Sequence, residues 1–316
     1  MSLLQYHGDG KSLFKIYIVN VLLTIVTVGL YYPWAKAKLL AYHYSETELQ
    51  ESRFAFLGTG NEIFKGFIKA ILIFGGWYGI SLWLSLQMQT GQDIILFSVL
   101  TIFWQFVLFL IFPLAIVGSL KYRLSRTTWR GIHMKYTGNV KSMYIVFIKG
   151  FLLTIVTFGI YAPWFMVNIR KEILKNVKLG DLKFSFNGDG GTLFGIGIAG
   201  SLLSMITLGI YTFQYMANMY NFNLDHTKIQ LGSEKASLEG TATGMGFFKL
   251  QIGNMLIVIL SLGLATPYAM VRTLKFYADT VKLKGNITFS NIKQEDIDDA
   301  DATGDSLLDA FEMDIV

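Results

Sequence analysis

The chain holds 316 residues, 53% of them hydrophobic and only 16% charged, with a formal net charge of +5. Soluble domains carry about 25% charged residues, so the composition speaks against a soluble globular domain. The small basic excess points to loops beside anionic lipid rather than to nucleic acid, and the absence of cysteine excludes disulfides and thiolate chemistry.

In chain order, the opening MSLLQYHGDGKSLF lacks a basic n-region and a small-residue cleavage site. The first apolar segment is therefore expected to be retained and to direct insertion. Six apolar runs follow: Ile16–Tyr32, Phe67–Leu86, Ile94–Leu120, Ile145–Phe165, Leu193–Met219 and Leu250–Val271. The charges inside them are Lys69 and Lys149. A bilayer core of about 30 Å takes roughly 20 helical residues, so the runs predict six membrane segments, near 12–32, 64–86, 93–120, 143–165, 193–217 and 247–271.

A short phrase recurs behind the runs: TVGLYYPW at 27–34, TFGIYAPW at 157–164, TLGIYTFQ at 207–214 and SLGLATPY at 261–268. A second phrase precedes it, as YHGDGKSLF at 6–14, YTGNVKSMY at 136–144 and FNGDGGTLF at 186–194. The glycine pairs Gly8 and Gly29, Gly138 and Gly159, and Gly188 and Gly209 keep one spacing. A further copy keeps Gly263 and Pro267 but has Ala242 in place of the leading glycine, and FLGTGNEIF at 56–64 opens a longer unit. Internal recurrence at this period predicts repeated structural units, with boundaries near 1–52, 53–131, 132–182, 183–235 and 236–293.

Each unit reads as strand, glycine turn, membrane helix, Gly-aromatic-Pro break and second helix. Alternation at Arg53–Phe56, Lys183–Phe186 and Asn286–Phe289 predicts the strands. Pro33, Pro163 and Pro267 suit the first turn of a helix. The second helices carry Lys36, Lys38, Arg170, Lys171 and Lys175, so they are expected at the membrane interface with Trp34 and Trp164 at headgroup depth. The fold class that follows is membrane α-helical: a polytopic helical bundle of repeated strand–turn–helix–interfacial helix units, with short strands between helices. The remaining stretch, 294–316, is acidic from Glu295 to Asp314 and is expected to be a flexible tail, available to another envelope protein.

The phrase F-x-G-x-G-x-x-L-F followed by T-L-G-I-Y-x-P-W resembles the bacterial YjgN-like family of inner-membrane proteins, over nearly the whole chain to about Asn291. The resemblance implies a bacterial inner membrane and no catalytic residue. The departures at 207–214 and 242–268 imply an asymmetric surface.

Loop 87–92 lacks Lys and Arg, whereas Lys65, Lys69, Lys121, Arg123, Arg126 and Arg130 flank its hairpin. The loop is therefore expected outside and the flanks in the cytoplasm. The short units are basic at both ends, which leaves open whether they cross singly or return to one face.

No catalytic constellation stands out. His7, His43, His133 and His226 lack ligand spacing, and Gly8-Asp9-Gly10-Lys11-Ser12 has the wrong spacing for a phosphate loop. No enzyme activity, metal or cofactor is expected. The informative polar columns are Lys15, Lys65 and Lys249; Lys69 and Lys149, one helical turn deeper; and Asn20 and Asn254. Ionisable groups at membrane depth either line a pathway or snorkel, and asparagines there bond neighbouring helices. Two functions remain in play: a membrane scaffold or regulatory partner of an envelope protein, and a transporter or channel for a small or anionic solute through a lysine-lined interior. Membrane lipids are expected partners of either.

Overall fold

Thr27, Gly29 and Pro33 set the first local structure. Helix α1 (Gly10–Val26) opens on Asp9, whose carboxylate accepts from the Ser12 amide at 2.9 Å. It ends where Val28 and Gly29 take φ of 50° and 90°, a left-handed pair that reverses the chain. Thr27 Oγ1 accepts from the Tyr31 amide at 3.0 Å and so starts α2 (Tyr32–Ser45), with Pro33 in its first turn. The longer second hairpin is α3 (Gly60–Gln89), α4 (Ile94–Phe109) and α5 (Phe112–Ser125). The short construction returns in α6 (Val140–Val156) and α7 (Ala162–Leu174), in α8 (Gly190–Ile206) and α9 (Thr212–Asp225), and in α10 (Gly244–Leu260) and α11 (Thr266–Asp279). Thr157, Thr207 and Ser261 fill the place of Thr27, accepting from Tyr161, Tyr211 and Ala265 at 3.0, 2.9 and 2.9 Å.

Between hairpins the chain makes short strands: β1 (Leu4–Tyr6), β2 (Thr47–Leu49), β3 (Ser52–Phe56), β4 (Thr127–Trp129), β5 (Ile132–Tyr136), β6 (Val177–Leu179), β7 (Leu182–Phe186), β8 (Thr227–Leu231), β9 (Glu234–Gly240) and β10 (Val281–Gly285). The computed structural model describes residues 3–89 and 94–294. The expected outside loop falls in part on residues 90–93, and the expected acidic tail from Glu295 onward; both lie outside the described residues.

The ten strands form one antiparallel sheet in sequence order. Leu3 N–H donates to Val281 O at 3.0 Å, so the first strand meets the last and the sheet curls into a nearly closed barrel. Alternation decides what fills it: Leu182, Phe184 and Phe186 turn inward while Lys183 and Ser185 stay outside. Trp129 is wholly buried at the core, and its indole N–H is shared by Leu49 O and Ser52 O, each at 3.1 Å. Leu49, Leu179, Leu182, Ile229 and Leu231 complete the packing. All tight strand–strand turns lie at one end of the barrel, and all helical hairpins leave from the other.

These facts overturn the expected polytopic helical bundle of six spans. Helices α1, α6, α8 and α10 have 17 residues each, about 25 Å of helix, and each stops at a reversing turn. Because both ends of every hairpin feed neighbouring strands of one sheet, each hairpin returns to the face it left. Among the described residues two helices are long and apolar enough to cross a membrane, Gly60–Gln87 and Ile94–Ser125.

The strand expected at Asn286–Phe289 also differs. β10 stops at Gly285, which has φ of 112°, and the following residues run across the turn end of the barrel. Ile287, Phe289 and Ile292 are buried in the barrel core. Glu234 accepts from the Thr288 amide at 2.7 Å, Asp181 N–H donates to Lys293 O at 3.0 Å, and Lys293 N–H returns to Asp181 Oδ1 at 2.9 Å. The segment has more to gain by stoppering the barrel with three apolar side chains than by extending β10 along an edge.

Candidate functional site

The hairpin tips are the first feature of chemical consequence. Val28, Phe158, Leu208 and Leu262 precede the tip glycines and sit at φ of 50–51°, where a bulky residue is an outlier. They are also 91–98% exposed. Around them Ile25, Val26, Val156, Ile160, Met205, Ile206, Ile210, Leu260 and Leu264 are exposed as well. Apolar patches of this extent mark contact with a membrane or another apolar surface. Gly29, Gly159, Gly209 and Gly263 have φ of 87–91° and open space where a Cβ would stand, so their role is the left-handed backbone and not close helix contact.

The other motif residues build the barrel–hairpin junction. A Cβ on Gly8, Gly138 or Gly188 would collide with the ring of Tyr6, Tyr136 or Phe186, two residues upstream. Ala242 is accommodated at the equivalent place because Gly240 replaces the aromatic there. Trp34 and Trp164 pack over the first residue of the next hairpin, Gly60 and Gly190, and Tyr268 covers Gly10 to close the ring. Pro33 and Pro267 are buried, Pro163 half-buried, in the first turns of their helices.

Asn20 and Asn254 clasp the two helices of their hairpins. Asn20 Nδ2 donates to Ala35 O at 3.3 Å; Asn254 Nδ2 donates to Ala269 O at 3.4 Å and Thr273 Oγ1 at 2.9 Å. At the same register the other short hairpins have Gly150 under Phe165 and Gly200 under Tyr215. Sequence reasoning found the asparagines but missed this exchange of Asn–Ala for Gly–aromatic, which is visible as a constant separation.

Lys69 and Lys149 are not brought to one cleft. Lys69 is on α3; Lys149 lines a cleft of about 360 Å3 between α6 and α7, with Tyr161, Asn168, Lys171, Glu172 and Lys175. Glu172 binds Lys175 Nζ at 2.6 Å and accepts from Ser142 Oγ at 2.6 Å and Asn176 Nδ2 at 3.3 Å. Burial opposes its ionisation, but these partners outweigh burial and hold its carboxyl below the usual range. The neighbouring Tyr136 hydroxyl is pushed up to about 12 by burial and by that carboxylate. Lys171 and Lys175 carried no functional signal in the sequence beyond interfacial charge.

On the outer barrel wall, Lys135 stands opposite Lys178, and Lys178 opposite Lys183. Like charges abreast in a sheet are unfavourable, and these three lysines gather positive charge on β5, β6 and β7. Among the described residues no group of three or more His, Asp and Glu could hold a metal ion.

A stoppered antiparallel barrel carrying apolar helical hairpins at one end, two helices of membrane-crossing length among them, defines a membrane protein of mixed sheet–helix architecture. The family described as "Bacterial protein of unknown function (DUF898)" matches residues 2–187 and 213–310, and the chain belongs to that family, a YjgN-like family of bacterial inner-membrane proteins. Among its relatives are proteins named "Inner membrane protein YjgN". That of Escherichia coli O157:H7 is 28% identical over 161 residues, 51% of this chain and 37% of the relative. That of Salmonella typhimurium is 28% identical over 183 residues, 58% and 41% respectively. That of Escherichia coli K12 is 46% identical over 59 residues, 19% and 15% respectively. The matched regions thus span about two-fifths of these relatives' length or less. No solved structure matches the chain.

Proposed function

We propose that this protein is a membrane-seated scaffold or regulatory partner of another inner-membrane component, and not an enzyme. The observation that carries the reading is the stoppered barrel. Trp129 and its apolar neighbours fill the interior, and Ile287, Phe289 and Ile292 cover the turn end, so among the described residues the barrel is a packed core. What the molecule offers is surface: an apolar ring of hairpin tips for the bilayer and a polar barrel end for a partner. The long hairpin crosses the bilayer twice and the short hairpins dip into one leaflet, which makes the chain a multi-pass protein assembled from repeated units. The basic residues flanking the long hairpin support a cytoplasmic barrel.

The rival reading, transport of an anionic solute, draws on Lys69 and Lys149, which stand on different hairpins. One experiment separates the two. A photo-cross-linking residue at exposed Ser290, on the stopper, is expected to give a discrete heteromeric adduct in native membranes. Proteoliposomes holding the full chain are expected to show no flux of small anions above protein-free vesicles. Anion flux together with no adduct would overturn the scaffold reading.

A further inference from the structure

Three lysines converge on one hairpin only. Lys149, Lys171 and Lys175 line the α6–α7 cleft, whereas the same register positions hold Val19, Ala41 and Ser45 in the first hairpin, Ala199, Asn221 and Asp225 in the α8–α9 hairpin, Gly253, Lys275 and Asp279 in the α10–α11 hairpin, and Lys69, Lys121 and Ser125 in the long hairpin, so no other unit has all three. The barrel architecture therefore does not require them. Within the cleft they face a single carboxylate, Glu172, already engaged by Lys175, Ser142 and Asn176. The lining is left with more positive than negative charge. Asp189, near enough to Lys171 to feel its charge, is occupied as the cap of α8, accepting from the Thr192 amide at 2.8 Å. Tyr161 OH accepts from Asn168 Nδ2 at 3.4 Å and keeps its own proton to donate.

Depth narrows the ligand. Lys149 stands two helical turns before the end of α6. Beyond it lie the exposed apolar residues Ile155, Val156 and Phe158; toward the barrel lie Lys171 and Lys175. Ile145 and Val146, about one helical turn nearer the barrel than Lys149, add apolar lining beside the lysines. A ligand matched to this gradient has an anionic group at the lysines and hydrocarbon running toward the tip.

We propose that the α6–α7 cleft binds the phosphodiester headgroup of an anionic membrane phospholipid, its phosphate between Lys149 and Lys171 with Tyr161 donating. The cleft volume of about 360 Å3 lies within the range of small-ligand sites, and two ammonium groups supply charge-assisted hydrogen bonds to phosphate oxygens. This rests on the membrane-seated reading.

The test uses the full chain in nanodiscs of phosphatidylcholine, alone or mixed with phosphatidylglycerol, read by amine-reactive footprinting and by lipid retention in native mass spectrometry. Phosphatidylglycerol is expected to protect Lys149 and Lys171 several-fold more than Lys15 and Lys249, in the unmodified protein. Lys149→Gln with Lys171→Gln is expected to lower phosphatidylglycerol retention about ten-fold, as loss of one or two charge-assisted hydrogen bonds predicts. Arg at both places is expected to restore it, and Lys15→Gln with Lys249→Gln to leave it unchanged. Equal protection of all four lysines overturns the proposal, whether or not the variants fold. Displacement of the lipid by excess inorganic phosphate, with the same lysine dependence, overturns the lipid assignment in favour of a soluble phosphate. Failure to enter nanodiscs at all refutes the membrane-seated reading itself, a different result from entry without lipid preference.

Discussion

Gly159 shows what a single residue decides here. Its φ of 90° belongs to a region that a side chain rarely adopts, and nothing crowds the space around it. Gly159→Val therefore probes the backbone alone. Strain of this kind costs on the order of 1–3 kcal/mol, so a clear drop in thermal midpoint and folded yield in detergent is expected, with Gly159→Asn milder because Asn tolerates the left-handed region. An unchanged midpoint for the valine variant would show that the tip can turn in another way. The neighbouring Phe158, left-handed and 98% exposed, is the costlier choice in water. The chain keeps bulky apolar residues at four such points, which is intelligible when the tips are immersed in lipid.

Among elements, helix pairing uses two interchangeable solutions, Asn20 with Ala35 and Gly150 with Phe165. The two can be exchanged. Gly150→Asn alone meets the Phe165 ring and is expected to cost about 1–3 kcal/mol as overpacking. Phe165→Ala alone is expected to cost less than the roughly 3–5 kcal/mol of a fully buried phenylalanine, since Phe165 is half-buried. The double variant recreates the first hairpin's pair, and thermal melts should show it losing less than the two single losses summed, with coupling of about 0.5–3 kcal/mol. Strict additivity would refute the exchange. This relation was legible in principle, because both partners are separated by a constant interval. The helix count was not legible from hydropathy. Ile16–Tyr32 reads as one span because Thr27, Val28, Gly29 and Leu30, which make the turn, interrupt the apolar run so little. The phrase TVGLYYPW marked a break, and the break proved to be a full reversal.

For the molecule as a whole, the outcome turned on pairings that no local pattern announces. β2, β4 and β6 have three residues each, too few for alternation to register, and β3 pairs with β4 across the entire long hairpin. Asn286–Phe289 alternates like a strand, yet its apolar side chains were needed in the barrel mouth. Because every hairpin returns to the barrel, one assay orients the whole chain. Single cysteines at Gln89 and Ser125, in a chain with no native cysteine, are to be challenged with an impermeant thiol reagent in intact cells. Labelling is expected at Gln89→Cys and not at Ser125→Cys; the reverse pattern would place the barrel in the periplasm.

The bond from Leu3 to Val281 carries a consequence for how the protein is made. The ribosome releases β1 hundreds of residues before β10, so the sheet cannot close until the residues around Val281 have emerged. Contacts of such sequence separation form slowly, and until they form β1 presents an open edge able to pair with other chains. Until then a nascent molecule holds its barrel as an unsealed ring. Stop codons placed before Val281 should yield membrane-inserted but protease-sensitive products, since the last strand is the clasp on which the first depends.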